Sequence, residues 1–235
     1  AGVERSAVTH FSWAALGYSF KFVWAPLVDK LPLPLLEQFL GKRRSWLLLS
    51  QLMVISAMLW MAMSDPASTE GLRYMVYAAV FLGFSSATQD IVIDAYRIEA
   101  VEETLQALMS ASYVAGYRIG WFVAGAGALY LASGLGTTEE AYVYSSWQLT
   151  YMAMAGTMLV GVITTLTIKE PHSHSKSSFL KSTSDYLRFL LLFSCFVSAL
   201  VFAYIWLADS ISEIRIGLEG LGVGGSLASF STEAI

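Results

Sequence analysis

Ser85-Ser-Ala-Thr-Gln-Asp-Ile-Val-Ile-Asp-Ala-Tyr-Arg97 closes an otherwise apolar run that begins near residue 72. A run of about 20 mostly apolar residues at about 1.5 Å rise each is long enough to cross a bilayer. This one carries carboxylates inside it. Asp90 lies seven residues before Arg97, about 10 Å into the helix at that rise, and Asp94 lies nearer the inner surface. A charge at such depth costs about 2.5–3.5 kcal/mol even on lenient insertion scales. It persists where it meets a wet cavity or an opposite charge. Gly83, Ser86, Asp90, Asp94 and Arg97 recur at steps of three and four, so they share one stripe of the helix.

The rest of the chain fits that reading. Of its 235 residues 56% are hydrophobic and 14% charged, with a mean hydropathy of +0.58. A soluble domain carries roughly 25% charged residues, and one this apolar would aggregate. Six windows are apolar and long enough to span: about 7–28, 45–63, 72–97, 106–133, 147–168 and 187–208. The first five are expected to form an N-terminal bundle over 1–168. Residues 169–186 read as a polar cytoplasmic linker, and 187–235 as a further spanning helix with a glycine-rich tail. Lys30, Lys42, Arg43, Arg44, Arg97, Lys169, Lys176, Lys181 and Arg188 fall on alternate connectors; Arg73 alone falls on the others. The basic side is therefore expected to be cytoplasmic. The first window then runs inward, and one more helix is expected before residue 1. Both ends read as cut, and a second half of the same protein is the expected partner.

Two further intramembrane charges stand out. Lys21 lies about 12 Å inside the first window, and Arg118 about 18 Å inside the fourth. With Asp90 they place two cations and one carboxylate in the inner-to-middle membrane on three helices. His10, Trp13, Gly17, Lys21 and Trp24 line one face; Tyr113, Tyr117 and Trp121 run beside Arg118. Two readings stay open for these charges: buried structural ion pairs, or the lining of a water-filled cavity. Gly116, Gly120 and Ala124 form a small-residue stripe of the kind that packs helices closely.

Other chemistry finds no support. Asp90 and Asp94 share one helix and lack the Gly-x-Gly-Asp context of intramembrane aspartyl proteases. His172 and His174 have no neighbouring ligands at zinc spacing. There is no glycine-rich phosphate loop and no nucleophile elbow. Cys195 is the only cysteine, so no internal disulfide can form, and a net charge of −4 argues against nucleic acid.

Pro26-Leu-Val-Asp29-Lys30, followed by Gly41-Lys42-Arg43-Arg44, resembles the loop signature between the second and third helices of the major facilitator superfamily, with a longer insertion before the glycine. Lys21-Phe-Val-Trp-Ala-Pro-Leu-Val-Asp29, Ala87-Thr-Gln-Asp-Ile-Val-Ile-Asp-Ala-Tyr-Arg97 and Gly116-Tyr-Arg118 together resemble the AmpG muropeptide permeases of Gram-negative bacteria. The related acetyl-coenzyme A transporters share the Gln-Asp-x-x-x-Asp segment. The resemblance covers roughly 1–171. It implies an all-α transmembrane bundle, the N-terminal half of a proton-driven permease of the inner membrane. Its cargo would be anhydromuropeptides returned for peptidoglycan recycling and, in some bacteria, β-lactamase induction. No cofactor beyond the proton motive force, and a monomer, are expected. Asp90 and Asp94 are the expected proton-coupling residues. Lys21 and Arg118 suit peptide carboxylates, Trp24, Tyr117 and Trp121 suit sugar faces, and Gln89 suits sugar amides. Asp29, Lys30, Gly41, Lys42, Arg43, Arg44 and Arg97 are the expected gating or structural set. Two rivals remain: a carrier of acetyl-coenzyme A or another anionic metabolite, and a membrane sensor that binds without transporting.

Overall fold

The computed structural model describes residues 18–138, 141–171 and 183–220. They are helical throughout their ordered elements: α1 Lys21–Lys30, α2 Glu37–Leu40, α3 Lys42–Ala62, α4 Thr69–Ala100, a 3₁₀ turn Glu103–Leu105, α5 Gln106–Phe122, a π-helical segment Val123–Gly127, α6 Ala128–Gly134, α7 Tyr144–Thr167 and α8 Thr183–Gly220. α3, α4 and α7 are each long and apolar enough to cross a membrane. The chain divides into two compact units, 1–176 and 177–235. In the second, α8 runs for 38 residues around the apolar stretch Leu187–Ala203.

Within the first unit α4 packs along α3 and against α1, and its end meets α5; α3 packs in turn on α7, and α7 on α6. α4 can be approached this closely because its buried side chains are mostly small: Ala78, Ala79, Gly83, Ser85, Ala87 and Thr88. Ser85 and Thr88 return their hydroxyls to the carbonyls of Phe81 and Phe84, so neither leaves an unmet donor in the apolar interior. Two apolar clusters result. Met61, Met75, Ala78 and Ala79 gather at one level, and Val28, Leu47 and Val92 at another, the latter wrapped by Trp24, Trp46, Tyr96 and Ile168.

α4 starts sharply. The Ser68 hydroxyl accepts from the Gly71 amide at 3.0 Å, and a Cβ on Gly71 would lie 1.9 Å from the Asp65 carbonyl oxygen. In the neighbouring connector the Tyr142 hydroxyl donates to Asp65 at 3.3 Å. Burial, and then the Asp65 charge, push the Tyr142 phenol up to about 12.

The windows about 45–63, 72–97, 106–133, 147–168 and 187–208 fall on helices with shifted ends, whereas residues 7–17 of the first window lie outside the described residues. α4 is longer than 72–97, and the fourth window is one continuous helical rod interrupted by the π segment. Three readings change. Lys42, Arg43 and Arg44 are not loop residues but the first turn of α3. Cations oppose the helix dipole there. The opposition is offset by Glu170, whose Oε1 accepts from the Arg43 amide at 2.7 Å and Oε2 from the Arg44 amide at 3.1 Å. Arg44 reciprocates, donating to the last carbonyls of α7 at Thr165 (2.8 Å) and Leu166 (2.7 Å). The start of α3 and the end of α7 thus cap each other. Secondly, α8 begins at Thr183, inside the stretch 169–186 expected as linker; 172–182 lie outside the described residues. Thirdly, the glycine-rich tail is helical as far as Gly220, and 221–235 lie outside the described residues, as do His10, Trp13 and Gly17.

The mutual cap constrains Gly41. It holds φ +82°, and a Cβ there would stand 2.5 Å from both Cγ and Cδ of Glu170. Gly41→Ala is expected to destabilise the bundle by about 1–3 kcal/mol, read as a lowered unfolding temperature in detergent. Gly156→Ala, where an added Cβ meets nothing within 4 Å, is the neutral control.

Candidate functional site

The stripe on α4 meets its partners from two other helices. Lys21, at the start of α1, donates from Nζ to Asp90 Oδ2 at 2.5 Å. Tyr113 of α5 donates its hydroxyl to the other oxygen, Asp90 Oδ1, at 2.8 Å. Asp94 stands one turn further along α4. Its Oδ2 lies 3.9 Å from the Lys21 ammonium, and its Oδ1 lies 3.3 Å from Arg97 Nη2. Arg97 also donates from Nη1 to Ser110 Oγ at 2.8 Å, and its guanidinium carbon sits 5.2 Å from the centre of the Tyr113 ring. The path Lys21–Asp90–Tyr113–Arg97–Asp94 therefore closes on itself. Two cations and two carboxylates cancel within it, which is what allows four charges to occupy apolar helices. The ring is neither sealed nor open: the Lys21 side chain is 35% exposed and that of Asp90 21%. Such partial access suits a group that exchanges partners with water or a ligand.

The remaining expected site residues divide. Trp24 donates its indole N–H to Thr88 Oγ1 at 3.2 Å, and its ring lies 4.9 Å from that of Phe84. It packs on α4 and is half-buried there. Gln89 is half-buried, next to Asp90 in sequence, with no hydrogen-bond partner among the described residues. Tyr117 and Trp121 are both exposed on α5. Arg118 is exposed as well and has no ion-pair partner among the described residues. It stands five residues after Tyr113, about 140° round the helix at 3.6 residues per turn. The structure joins Lys21 to Asp90 but does not bring Arg118 to them. The expected triad is replaced by a ring in which Tyr113, from the same helix as Arg118, and Arg97 of α4 take the place of Arg118. Depth along a helix does not fix the face a residue occupies.

A second charged set binds the basic ends of α1, α3 and α4. Arg43, only 8% exposed, places Nη2 at 2.6 Å from both Asp29 Oδ1 and Glu99 Oε1, while its Nε donates to Glu99 Oε2 at 2.9 Å. The two-pronged contact with Glu99 is the strong geometry for guanidinium and carboxylate. Lys42 donates to the Asp29 backbone carbonyl, and Lys30 Nζ lies 3.2 Å from Asp29 Oδ2. Asp29 is pushed up by burial, but the hydrogen bond and charge of Arg43, with Lys30, outweigh burial and hold its carboxyl below the usual carboxylate range. Glu99 and Glu170 were not among the residues singled out from sequence. Each is an acid at a helix end beside basic residues, a pattern shared by many solvated surfaces.

The small-residue stripe behaves differently from expectation. Added Cβ atoms at Gly116 and Gly120 meet nothing within 4 Å, so among the described residues no helix packs there. The stripe instead forms one wall of an apolar groove of about 810 Å³, faced by Trp147, Thr150, Tyr151 and Met154 of α7.

Two outcomes follow from these geometries. Lys21→Met and Asp90→Asn each break the pair, at a cost of about 1–3 kcal/mol, whereas the double change recovers a large part of the loss; a double-mutant cycle on thermal unfolding measures the coupling. For Asp29, the folded carboxyl titrates below its ordinary value near 4. Its contribution is complete above that value and is lost as pH falls through the folded one. The unfolding-temperature gap between the native chain and Asp29→Asn should therefore be constant from about pH 7 to pH 5 and close below about pH 4.

Known proteins bear on this geometry. The chain is 37% identical over 169 residues to a putative transporter AmpG 4 of Rickettsia felis, covering 72% of this chain and 38% of that protein. It is 34% identical over 169 residues to the anhydromuropeptide permease of Escherichia coli K12, covering 72% of this chain and 31% of that protein. It is 35% identical over 167 residues to a putative transporter AmpG 3 of Rickettsia prowazekii, covering 70% and 37%. The expected likeness to AmpG-type permeases is borne out, and the chain spans about a third of the length of these curated relatives. No solved structure matches it. The family model for the Major Facilitator Superfamily matches residues 6–232, and with multiple apolar helices of spanning length the chain belongs to that superfamily of multi-pass membrane transporters.

Proposed function

We propose that this chain is the N-terminal part of a proton-coupled permease that imports anhydromuropeptides across the bacterial inner membrane. One observation carries the reading: the Lys21–Asp90 pair, held within three helices by Tyr113, Asp94 and Arg97 and only partly buried there. A carboxylate that can be neutralised by a proton, bonded to a cation that would then be released, is the minimum machinery for linking proton entry to an anionic cargo. Muropeptides carry peptide carboxylates that a freed ammonium at residue 21 can bind. The permease name of the Escherichia coli relative supports the same cargo. Exposed Tyr117 and Trp121 offer aromatic faces to the sugars, and Arg118 offers a second cation on the same helix. Asp29, Arg43 and Glu99 close the basic end of the bundle and act as its structural gate.

The test is uptake of labelled anhydromuropeptide by cells that depend on this protein. Asp90→Asn is expected to reduce energised uptake by about 100-fold or more, in keeping with loss of an essential proton-transfer group, while the protein still reaches the membrane. Uptake at the native rate by that variant removes Asp90 from the mechanism.

A further inference from the structure

Asp94 is distinguished from Asp90 by how its oxygens are used. Asp90 has both occupied, Oδ2 by the Lys21 ammonium at 2.5 Å and Oδ1 by the Tyr113 hydroxyl at 2.8 Å. Asp94 has Oδ1 loosely held by Arg97 at 3.3 Å, while Oδ2 points at Lys21 from 3.9 Å, beyond hydrogen-bond reach. It is a carboxylate oxygen with room for one more donor, and the nearest donor is the ammonium now bonded to Asp90. We propose that Asp94 is a positioning residue that supplies a second seat for Lys21, taken when the Asp90 carboxylate is neutralised.

The charges around Lys21 support this assignment. The ammonium is faced by Asp90 and Asp94 from α4 and by Tyr18 from its own side of the bundle. Tyr113 and Arg97 stand behind the carboxylates, and the charged residues of α3 are confined to its first turn, Lys42–Arg44. Neutralising Asp90 leaves the ring one positive charge in excess and removes the bonded partner of Lys21. The remaining carboxylate in range is Asp94. Lys21 can take its Oδ2 without displacing Arg97 from Oδ1, because the two cations approach different oxygens. Arg97 stays anchored meanwhile by Ser110 and by the Tyr113 ring. Residues 90 and 94 are one turn apart on the same face, and the ammonium already lies 3.9 Å from Asp94 Oδ2, so it need move only about 1 Å toward the basic end of α4 to bond there. The step breaks one ion pair and makes another, and the proton resides on Asp90. It turns a change of protonation into a transfer of the α1–α4 ion pair from one carboxylate to the next.

The inference rests on the proposal that Asp90 takes up a proton, and its test has a readout that does not require transport. Asp90→Asn fixes the neutral state. In the full-length protein in lipid bilayers, solid-state NMR distance measurement between the Lys21 amine nitrogen and the residue-94 carboxyl carbon is expected to show contact in Asp90→Asn and a longer separation in the native protein. Lys21 remaining at residue 90, or turning to solvent, overturns the second seat. Should Asp90→Asn not fold, the same distance in native protein, compared at neutral and acidic pH, serves in its place, with an unchanged distance overturning the proposal. A functional arm separates position from mere charge. Asp94→Asn is expected to cut energised anhydromuropeptide uptake roughly tenfold or more by stranding Lys21, and Asp94→Glu to restore most of it. Equal uptake by Asp94→Asn and native protein also overturns the assignment. If the native protein accumulates no anhydromuropeptide, the functional proposal falls while the distance measurement still decides the seat.

Discussion

A charge embedded among apolar helices has to be neutralised where it stands, and that constraint organises this bundle. Lys21, Asp90, Asp94 and Arg97 tolerate their position because they sum to zero over a few ångströms, and because Tyr113 and Ser110 add hydrogen bonds to the ion pairs, leaving Arg97 Nε as the buried donor without a partner among the described residues of the ring. The small side chains of α4 are the other half of the same solution. They let α1 and α3 lie close enough for an ammonium on α1 to reach α4 directly.

α1 and α4 are joined at two levels. Lys21 and Asp29 are eight residues apart on α1, and Asp90 and Glu99 nine apart on α4, about 12 Å and 13 Å at helical rise. Both helices run toward the basic end, so matched spacing keeps the two contacts in register: Lys21 on Asp90 within the bundle, and Asp29 and Glu99 bridged through Arg43 at its mouth. A displacement of α1 along α4 therefore strains both levels together. The mouth contact in turn is fixed to α7 by Glu170, which caps α3 through the amides of the same Arg43 and its neighbour.

Much of this was legible in the chain of residues. Helical periodicity gathered Asp90, Asp94 and Arg97 on one face, and the cost of intramembrane charge singled out Lys21. Spanning length located α3, α4 and α7 to within a few residues, while α8 runs twelve residues past the end expected at 208. What escaped has physical reasons. Arg118 lies about 7 Å further along α5 than Tyr113 and about 140° round it, and only packing fixes which residue of a helix meets the ring. The Tyr113 hydroxyl was indistinguishable from an aromatic packing face until a carboxylate on another helix was placed beside it. Lys42, Arg43 and Arg44 looked like loop because cations oppose the start of a helix, and the acid that reverses this, Glu170, lies 126 residues beyond Arg44. The Gly116–Gly120 stripe was expected to pack against a helix, and among the described residues it lines an open groove instead. Val123–Gly127, with two glycines in five residues, carried a compositional sign of irregular helix that was not taken up.

The central claim is that proton entry and cargo entry pass through one charge-neutral ring. It is tested most directly by adding anhydromuropeptide to full-length protein in liposomes without an imposed gradient, while recording external pH. The account requires the outside medium to turn alkaline as cargo enters, with the change abolished in Asp90→Asn. Cargo entry with no accompanying proton movement would contradict it.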